Sequence, residues 1–248
     1  MNIVNAIWEE RNLGLKTLEI TINTSDMANS KLVNDLRLAI EDAKAQYVIV
    51  RLPAGSPRTI HELQDADFYY METQLEYHKM LTGYQTPVNY TKLASTANIK
   101  TYHKDKASWQ LVISKIEDGM FMADRVYLDP KIDYKLATKR YRNWIMDLFE
   151  QEDTTLYTVD VNGSEVGFGV LQLAGAKATC SLHGVYKPYQ GRGYGALLLD
   201  TPLKIAVNDG ATEWQSRVSS NNVIMTRLYD AFDFQVKSLT YVMRWLKS

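Results

Sequence analysis

A glycine-rich segment in the second half of the chain lies between an apolar, β-branched stretch and a run of leucines. It reads Gln190-Gly191-Arg192-Gly193-Tyr194-Gly195, followed by Ala196 and three leucines. We expect a strand that ends at Val185, then a tight turn, then a helix. The first amides of a helix lack intrahelical partners and carry partial positive charge, so they suit a phosphate that glycine lets come close. The segment therefore predicts a site for a phosphorylated ligand, to which Arg192 and Lys187 add positive charge.

The glycine pattern alone also fits a purely structural strand-to-helix turn. It differs from the dinucleotide-binding fingerprint in its spacing, and no acidic partner for a ribose follows it. It is not a P-loop either, because the closing Gly-Lys-Ser/Thr is missing.

Asn222 and Tyr229 form a second candidate pair, seven residues apart and therefore on one face of a predicted helix. Considered by itself, Tyr229 is interpreted as a core tyrosine with a satisfied hydroxyl. On the strand before the glycine turn, His183 shares a face with Val185 and has a suitable unperturbed pKa for a general base. Its alternative role is that of a buried, hydrogen-bonded histidine. Cys180 has no basic cluster nearby and is interpreted as a small buried hydrophobe.

The pattern Gln190-x-x-Gly193-x-Gly195 after such a strand resembles the pyrophosphate motif of the GNAT superfamily of acyl-CoA N-acyltransferases. The segment from Asn222 to Phe234 is similar to that family's Asn…Leu-Tyr-x-x-x-Gly-Phe segment. The resemblance implies that acetyl-CoA is the acyl donor, that no metal is needed, and that the strand of Val185 splays from its neighbour to admit pantetheine. It further implies that Tyr229 protonates the leaving thiolate. The implied cofactor contacts are Val185, Gln190, Gly191, Arg192, Gly193, Tyr194, Gly195, Ala196, Asn222 and Tyr229.

Three residues depart from this family's pattern. Pro188 lies one residue later than usual, and Pro202 should kink the following helix or end its first segment. Asp233 replaces the usual glycine after the second helix, but aspartate tolerates left-handed backbone better than most residues.

The whole chain is similar to the TDP-fucosamine acetyltransferase family, on the evidence of short segments at residues 8–14, 124–130, 141–145 and 245–246. This resemblance implies an N-terminal half that helps to form the acceptor pocket, with Glu72 on its long strand as a proton acceptor. Glu72 is otherwise a solvated carboxylate on a strand. The implied acceptor is a small-molecule amine, specifically a nucleotide-linked amino sugar, whose diphosphate would need Arg125, Arg140 or Arg142. Peptide, polyamine and antibiotic amines, and a non-catalytic acyl-CoA-binding protein, are the alternatives; a homodimer is compatible with all of them.

The surrounding pattern predicts a mixed α/β fold with a GNAT-like domain at residues 100–248 and a smaller degenerate copy at 1–85. Residues 63–68 echo residues 228–234, as a duplicated unit would. Residues 82–104 are polar and are predicted to be a linker, followed by a strand near 109–113. Asn162-Gly163 between two alternating stretches predicts a type I′ hairpin.

Composition restricts the remaining possibilities. The net charge of −1 gives no electrostatic reason to expect nucleic acid or an anionic membrane as a partner. A single cysteine excludes an intrachain disulfide and a Cys-based zinc cage. The sequence has no apolar run of about 18 residues, so we expect a cytoplasmic protein without a membrane span.

Overall fold

The structure is a computed structural model that describes residues 1–247, and these form one ten-stranded sheet with helices on both faces. The strands are β1 (Asn2–Asn5), β2 (Thr17–Thr21), β3 (Tyr47–Pro53), β4 (Tyr69–Met80), β5 (Ala97–Tyr102), β6 (Thr154–Val161), β7 (Ser164–Ala174), β8 (Lys177–Val185), β9 (Glu213–Ser219) and β10 (Gln235–Leu246). The α-helices are α1 (Ile7–Leu13), α2 (Leu32–Ala43), α3 (Pro57–Gln64), α4 (Val88–Ala94), α5 (Lys106–Ser114), α6 (Arg125–Leu128), α7 (Lys135–Phe149), α8 (Gly195–Asn208) and α9 (Val223–Ala231). The predicted mixed α/β class is confirmed.

The strand order is symmetric about the β10–β4 pair, with β6 and β5 as two additional strands at one end. It runs β1-β2-β3-β10-β4-β9-β8-β7-β6-β5, with β2–β3 and β8–β9 as the two parallel pairs. In each half, one helix joins the two parallel strands and a second helix leads to a 12-residue strand, β4 or β10. This topology supports a duplicated α/β unit.

The helix ends carry the same signature in both halves. Asp67 after α3 and Asp233 after α9 have left-handed backbone, with φ of 66° and 55°. A buried phenylalanine follows each of them, and the two long strands then pair antiparallel at the sheet centre. Each half therefore completes its sheet with a strand from the other half. The division into residues 1–85 and 100–248 stays a prediction.

The helices cover the sheet in two layers. On one face, α8 and α9 pack on residues such as Tyr77 and Trp214, while α2 and α3 cover the N-terminal half. On the other face, α5 and α7 pack on Val170 and Leu182, and α1 and α6 lie beside them. We call these the α8 face and the α7 face.

Two of the expected elements are wrong. Residues 106–114 are helix α5 rather than a strand, because Asp105 caps the helix by accepting the amide of Ala107 at 3.2 Å and buried Trp109 and Val112 lie one turn apart. The expected linker contains α4 and β5, and β5 pairs with β6 along its full length. The side chains of β5 are mostly exposed on both faces. The sequence of β5 therefore lacks the apolar alternation that predicts a strand. The Asn162-Gly163 hairpin is confirmed, with positive φ at both residues.

Helix α8 also runs through Pro202 instead of ending there. A proline cannot donate to the carbonyl four residues earlier, which here belongs to Leu198. The buried hydroxyl of Tyr157 donates to that carbonyl at 2.8 Å and replaces the missing bond. None of the helices in the described chain is long and apolar enough to cross a membrane.

Candidate functional site

A gap between β8 and β9 is the main feature of the C-terminal half. The two parallel strands pair only at Lys177 with Glu213 and at Ala178 with Trp214. Beyond those positions β8 continues to Val185 and β9 continues to Ser219, but the two strands no longer pair with each other. They therefore diverge towards their carboxyl ends. The corresponding pair β2–β3 stays paired along the whole of β2. Ligands of open α/β sheets bind at such carboxyl-end openings.

Backbone donors of β8 point into this gap. The amide of Tyr186 donates to Val166 of β7 at 3.0 Å. Amides alternate in direction along an antiparallel strand, so those of His183 and Val185 point away from β7 and towards the gap. The Val185 amide is thus placed to polarise a carbonyl that enters between the strands.

The glycine turn lies at the N-terminus of α8, beside the open end of the gap. Gly191 and Gly193 have φ of 77° and 83°, and a Cβ on either would meet no atom within 4 Å. Within residues 1–247, the amides of five consecutive residues make no hydrogen bond, namely Gly191, Arg192, Gly193, Tyr194 and Gly195. Five free N–H groups at the positive end of a 14-residue helix suit a phosphate or diphosphate.

The other predicted residues of the turn have different positions. Gln190 donates its side-chain amide to the carbonyls of Val185 at 3.1 Å and Met120 at 3.3 Å, which ties the turn to β8. A Cβ on Gly195 would lie 3.2 Å from Leu228, so this glycine lets α8 and α9 approach closely. Ala196 is buried in the core, whereas Arg192 is exposed and stacks against the Tyr189 ring.

Helix α9 supplies Asn222 and Tyr229. Asn222 caps the helix by accepting the Met225 amide at 3.2 Å. The buried Tyr229 ring stacks on Tyr77 with centroids 4.5 Å apart, and its hydroxyl lies 2.7 Å from Ser216 Oγ. Ser216 is two residues beyond the last position at which β9 pairs with β8. The Tyr229 hydroxyl therefore lies at the inner end of the gap. Burial raises the pKa of Tyr229, which keeps the hydroxyl protonated as a proton donor must be.

His183 lies on the α8 face beneath α9. A bulge at Ser181 turns Cys180 and His183 to the same side, with Cys180 Sγ 3.5 Å from Nδ1 and Met225 Sδ 3.3 Å from Nε2. Burial lowers the pKa of His183 to about 4, so the ring is neutral at pH 7. Burial raises the pKa of Cys180 to about 12, as expected for a small buried thiol rather than a nucleophile.

Glu72 lies on the opposite face of the sheet from Tyr229. It is buried on β4 beside Val242, which belongs to the apolar cluster of the α7 face. Gln74 Nε2 donates to it at 2.9 Å, and Glu72 forms no ion pair with any cation of residues 1–247. Glu76 lies on the same face and accepts from Gln215 of β9.

The arginines considered for an acceptor diphosphate are engaged elsewhere. Arg125 and Arg140 both pair with Glu9, which is fully buried, and Arg140 also binds Asp124 at 3.0 Å. Burial opposes ionisation of Glu9, but the two arginines outweigh it and lower its pKa to about 2. Arg142 donates to the carbonyl of Ile116.

A parallel pair that opens beside free helix-terminal amides, with a protonated tyrosine at the inner end, has the architecture of an acyl-CoA-dependent N-acyltransferase. Residues 120–234 match the model of the acetyltransferase (GNAT) family, a match that includes the gap, the glycine turn and Tyr229. The chain thus carries a GNAT N-acetyltransferase domain, and the family uses acetyl-CoA as its donor. In the described part of the chain, no group of three or more His, Cys, Asp or Glu side chains is placed to hold a metal ion.

Solved structures share this fold at low sequence identity. A GCN5-related N-acetyltransferase from Sphaerobacter thermophilus aligns with a TM-score of 0.65 at 17% identity, covering 99% of this chain and 75% of that one. A functionally unknown conserved protein from Staphylococcus epidermidis aligns with a TM-score of 0.61 at 10% identity, covering 94% and 85%. A tandem GNAT protein from the clavulanic acid biosynthesis pathway aligns at 0.53 and 12%, covering 88% and 70%, and fits the two-half architecture. No curated protein matches the sequence.

Proposed function

We propose that this chain transfers the acetyl group of acetyl-CoA directly to a primary amine within a ternary complex. The observation that carries the proposal is the β8–β9 gap beside the five free amides of the glycine turn. The turn would bind the diphosphate of the donor, and the gap would admit its pantetheine arm. The Val185 amide would then hydrogen-bond to the thioester carbonyl and stabilise the oxyanion as it forms.

The bond changes balance as follows. The amine nitrogen attacks the thioester carbon, the new C–N bond forms and the C–S bond breaks. Tyr229 supplies the proton that the sulfur takes up, and the attacking nitrogen loses a proton to a base.

Glu72 is the better of the two proposed bases. His183 is enclosed between two sulfur atoms on the same face as Tyr229, whereas Glu72 lies on the α7 face with one hydrogen-bond donor and no cation. Strands are spaced by about 4.8 Å, so Glu72 on β4 is roughly 10 Å across the sheet from β8 and would act through water. Glu72→Gln should lower kcat by about 10²–10⁴-fold at unchanged acetyl-CoA affinity. Full turnover in this variant would remove Glu72 from the mechanism.

We propose a nucleotide-linked amino sugar as the acceptor. This proposal rests on the resemblance of the whole chain to the TDP-fucosamine acetyltransferase family. The arginines first considered for its diphosphate are bound by Glu9, Asp124 and a backbone carbonyl, so they do not support it. The alternatives are a peptide, a polyamine or an antibiotic amine.

A panel of amines with acetyl-CoA, read by mass spectrometry, tests both levels of the proposal. It contains TDP- and UDP-linked amino sugars, a polyamine, an aminoglycoside and a peptide. Acetylation of any amine, accompanied by release of the coenzyme A thiol, supports the transferase. Efficient acetylation of a peptide or polyamine with every nucleotide sugar ignored would discard the amino-sugar acceptor alone.

A further inference from the structure

A cavity of about 930 Å³ lies at one end of the central strands, where β4 begins and β9 and β10 end. We call it the edge groove, and its walls include Tyr69, Tyr70, Leu128, Lys131, Asn221 and Trp245. Its volume is within the range of small-molecule sites, about 300–1,000 Å³. Both halves of the chain contribute to it, and no residue of the glycine turn does.

Two exposed tyrosines of the edge groove are held in place by the protein. The guanidinium of Arg244 lies 5.4 Å from the centroid of the Tyr69 ring, and Asp129 fixes that guanidinium with two hydrogen bonds of 2.9 Å. Tyr70 is fixed by a hydroxyl contact of 2.7 Å with Thr73. The rings nevertheless remain 58% and 46% exposed. Rigid rings with an open face can stack on a flat ligand with little loss of side-chain entropy.

The charged side chains of the groove favour an anion. Lys131 and Lys247 line it together with one acidic side chain, Asp67, while the charge of Arg244 is balanced by Asp129. Lys131 is exposed and forms no ion pair with any side chain of residues 1–247. The groove therefore combines aromatic surface with an excess of positive charge.

The Tyr69 side of the groove lies on the α7 face, where Glu72 is the proposed base, whereas Tyr70 pairs with Met243 and faces the α8 side. Tyr69 faces the same side as Glu72 and precedes it by three residues on β4, a distance of about 10 Å. The gap lies between β9 and β8, which is one to two strand spacings, or about 5–10 Å, across the sheet from β4. Asn221 connects the two regions, because it lines the groove, bonds to the Met71 carbonyl at 3.3 Å and directly precedes the cap of α9.

We propose that the edge groove binds the non-reacting body of the acceptor, which carries a flat ring and an anionic group roughly 10–15 Å from the amine. This proposal rests on the proposed acetyl transfer, because only a transferase has an acceptor. Ligand binding in the groove can nevertheless be tested without turnover. Short amines such as polyamines would not reach it and would be poor substrates.

The test uses uridine diphosphate, which has a ring and an anionic group but no amine. Because the glycine turn could also take a diphosphate, the calorimetric titration is made with excess coenzyme A and repeated on Gly193→Val. Tyr69→Leu should weaken binding by about three- to tenfold through lost stacking. Lys131→Glu should weaken it by on the order of tenfold, and less at high salt. Tyr134→Leu and Lys135→Glu are matched controls, exposed and outside the groove.

The two proposals fail in distinguishable ways. Absence of uridine diphosphate binding under both conditions, or equal binding by groove and control variants, would overturn the groove while leaving acetyl-CoA binding and thiol release intact. Loss of the transferase proposal would instead show as no acetyl-CoA binding, with the groove variants still altering uridine diphosphate affinity. In turnover with the best nucleotide-linked amine of the panel, the groove variants should raise the acceptor KM at unchanged kcat; an unchanged KM would contradict the assignment.

Discussion

Substitution of Gly193 by valine should have different effects on the stability of the fold and on the affinity for acetyl-CoA. A side chain at Gly193 would meet no atom of the protein within 4 Å, although φ is 83°. The folded chain should therefore lose only the free energy of a left-handed L-residue, about 1–2 kcal/mol, with some further restriction from the β-branch.

The effect on the donor should be much larger. A hydrogen bond from an amide to a charged phosphate is worth about 1.5–3 kcal/mol. Losing two of the five free amides would therefore cost about 3–6 kcal/mol. At 1.4 kcal/mol per factor of ten, acetyl-CoA should bind about 10²–10⁴-fold more weakly.

Gly210→Val provides the matched control. Gly210 has φ of 85°, also meets no atom within 4 Å, and lies past the far end of α8, about 20 Å away. Thermal unfolding should show similar destabilisation of the two variants, and calorimetry should show acetyl-CoA binding lost in Gly193→Val alone. Retained affinity in Gly193→Val would place the diphosphate elsewhere, and equal loss in both variants would indicate a general disturbance of α8.

Tyr229→Phe should reduce kcat by about 10²–10⁴-fold while the lost bond to Ser216 costs only about 0.5–1.5 kcal/mol of stability; a stability loss without a kcat change would make Tyr229 structural. Glu9→Gln should destabilise the fold by about 3–5 kcal/mol, because it leaves two buried arginines uncompensated. Since folding lowers the pKa of Glu9 from 4.5 to about 2, its stabilisation is complete above pH 4.5 and is lost as the pH falls towards 2, which urea unfolding across this range measures. Acetyl-CoA should bind with one equivalent per chain, because β2 and β3 leave no gap; two equivalents in a titration would contradict this.

Local chemistry made part of the molecule predictable. The hairpin at Asn162-Gly163, the left-handed backbone at Asp233 and the turn before α8 each depend on a few neighbouring residues. The short apolar run at residues 106–114 fits the period of a strand as well as that of a helix, and Asp105 at the N-cap is the local feature that favours the helix. The continuation of α8 through Pro202 depends on Tyr157, 45 residues earlier, which no local rule contains.

The site was predictable only where it is local. The turn between β8 and α8, and the helix that carries Tyr229, each follow from a short segment of sequence. The sequence could not show that a bulge turns His183 towards Met225, or that Arg125 and Arg140 are held by Glu9 from the first helix. The edge groove is formed by residues up to more than 170 positions apart in the chain. No single segment of the sequence therefore predicts it. The roles of the individual site residues stay predictions.

The position of β10 has a consequence for how the protein is made. Residues 235–246 leave the ribosome after every other strand, yet they occupy the middle of the sheet between β3 and β4. Until they arrive, a nascent chain exposes β3 and one side of β4 as unpaired edges, which are open to mispairing with other chains. Because β10 pairs with strands more than 150 residues away, closing the sheet is a long-range event and should be slow. Chains that stall or are cut before residue 235 would then be the species that chaperones and proteases meet, however well their first half has formed.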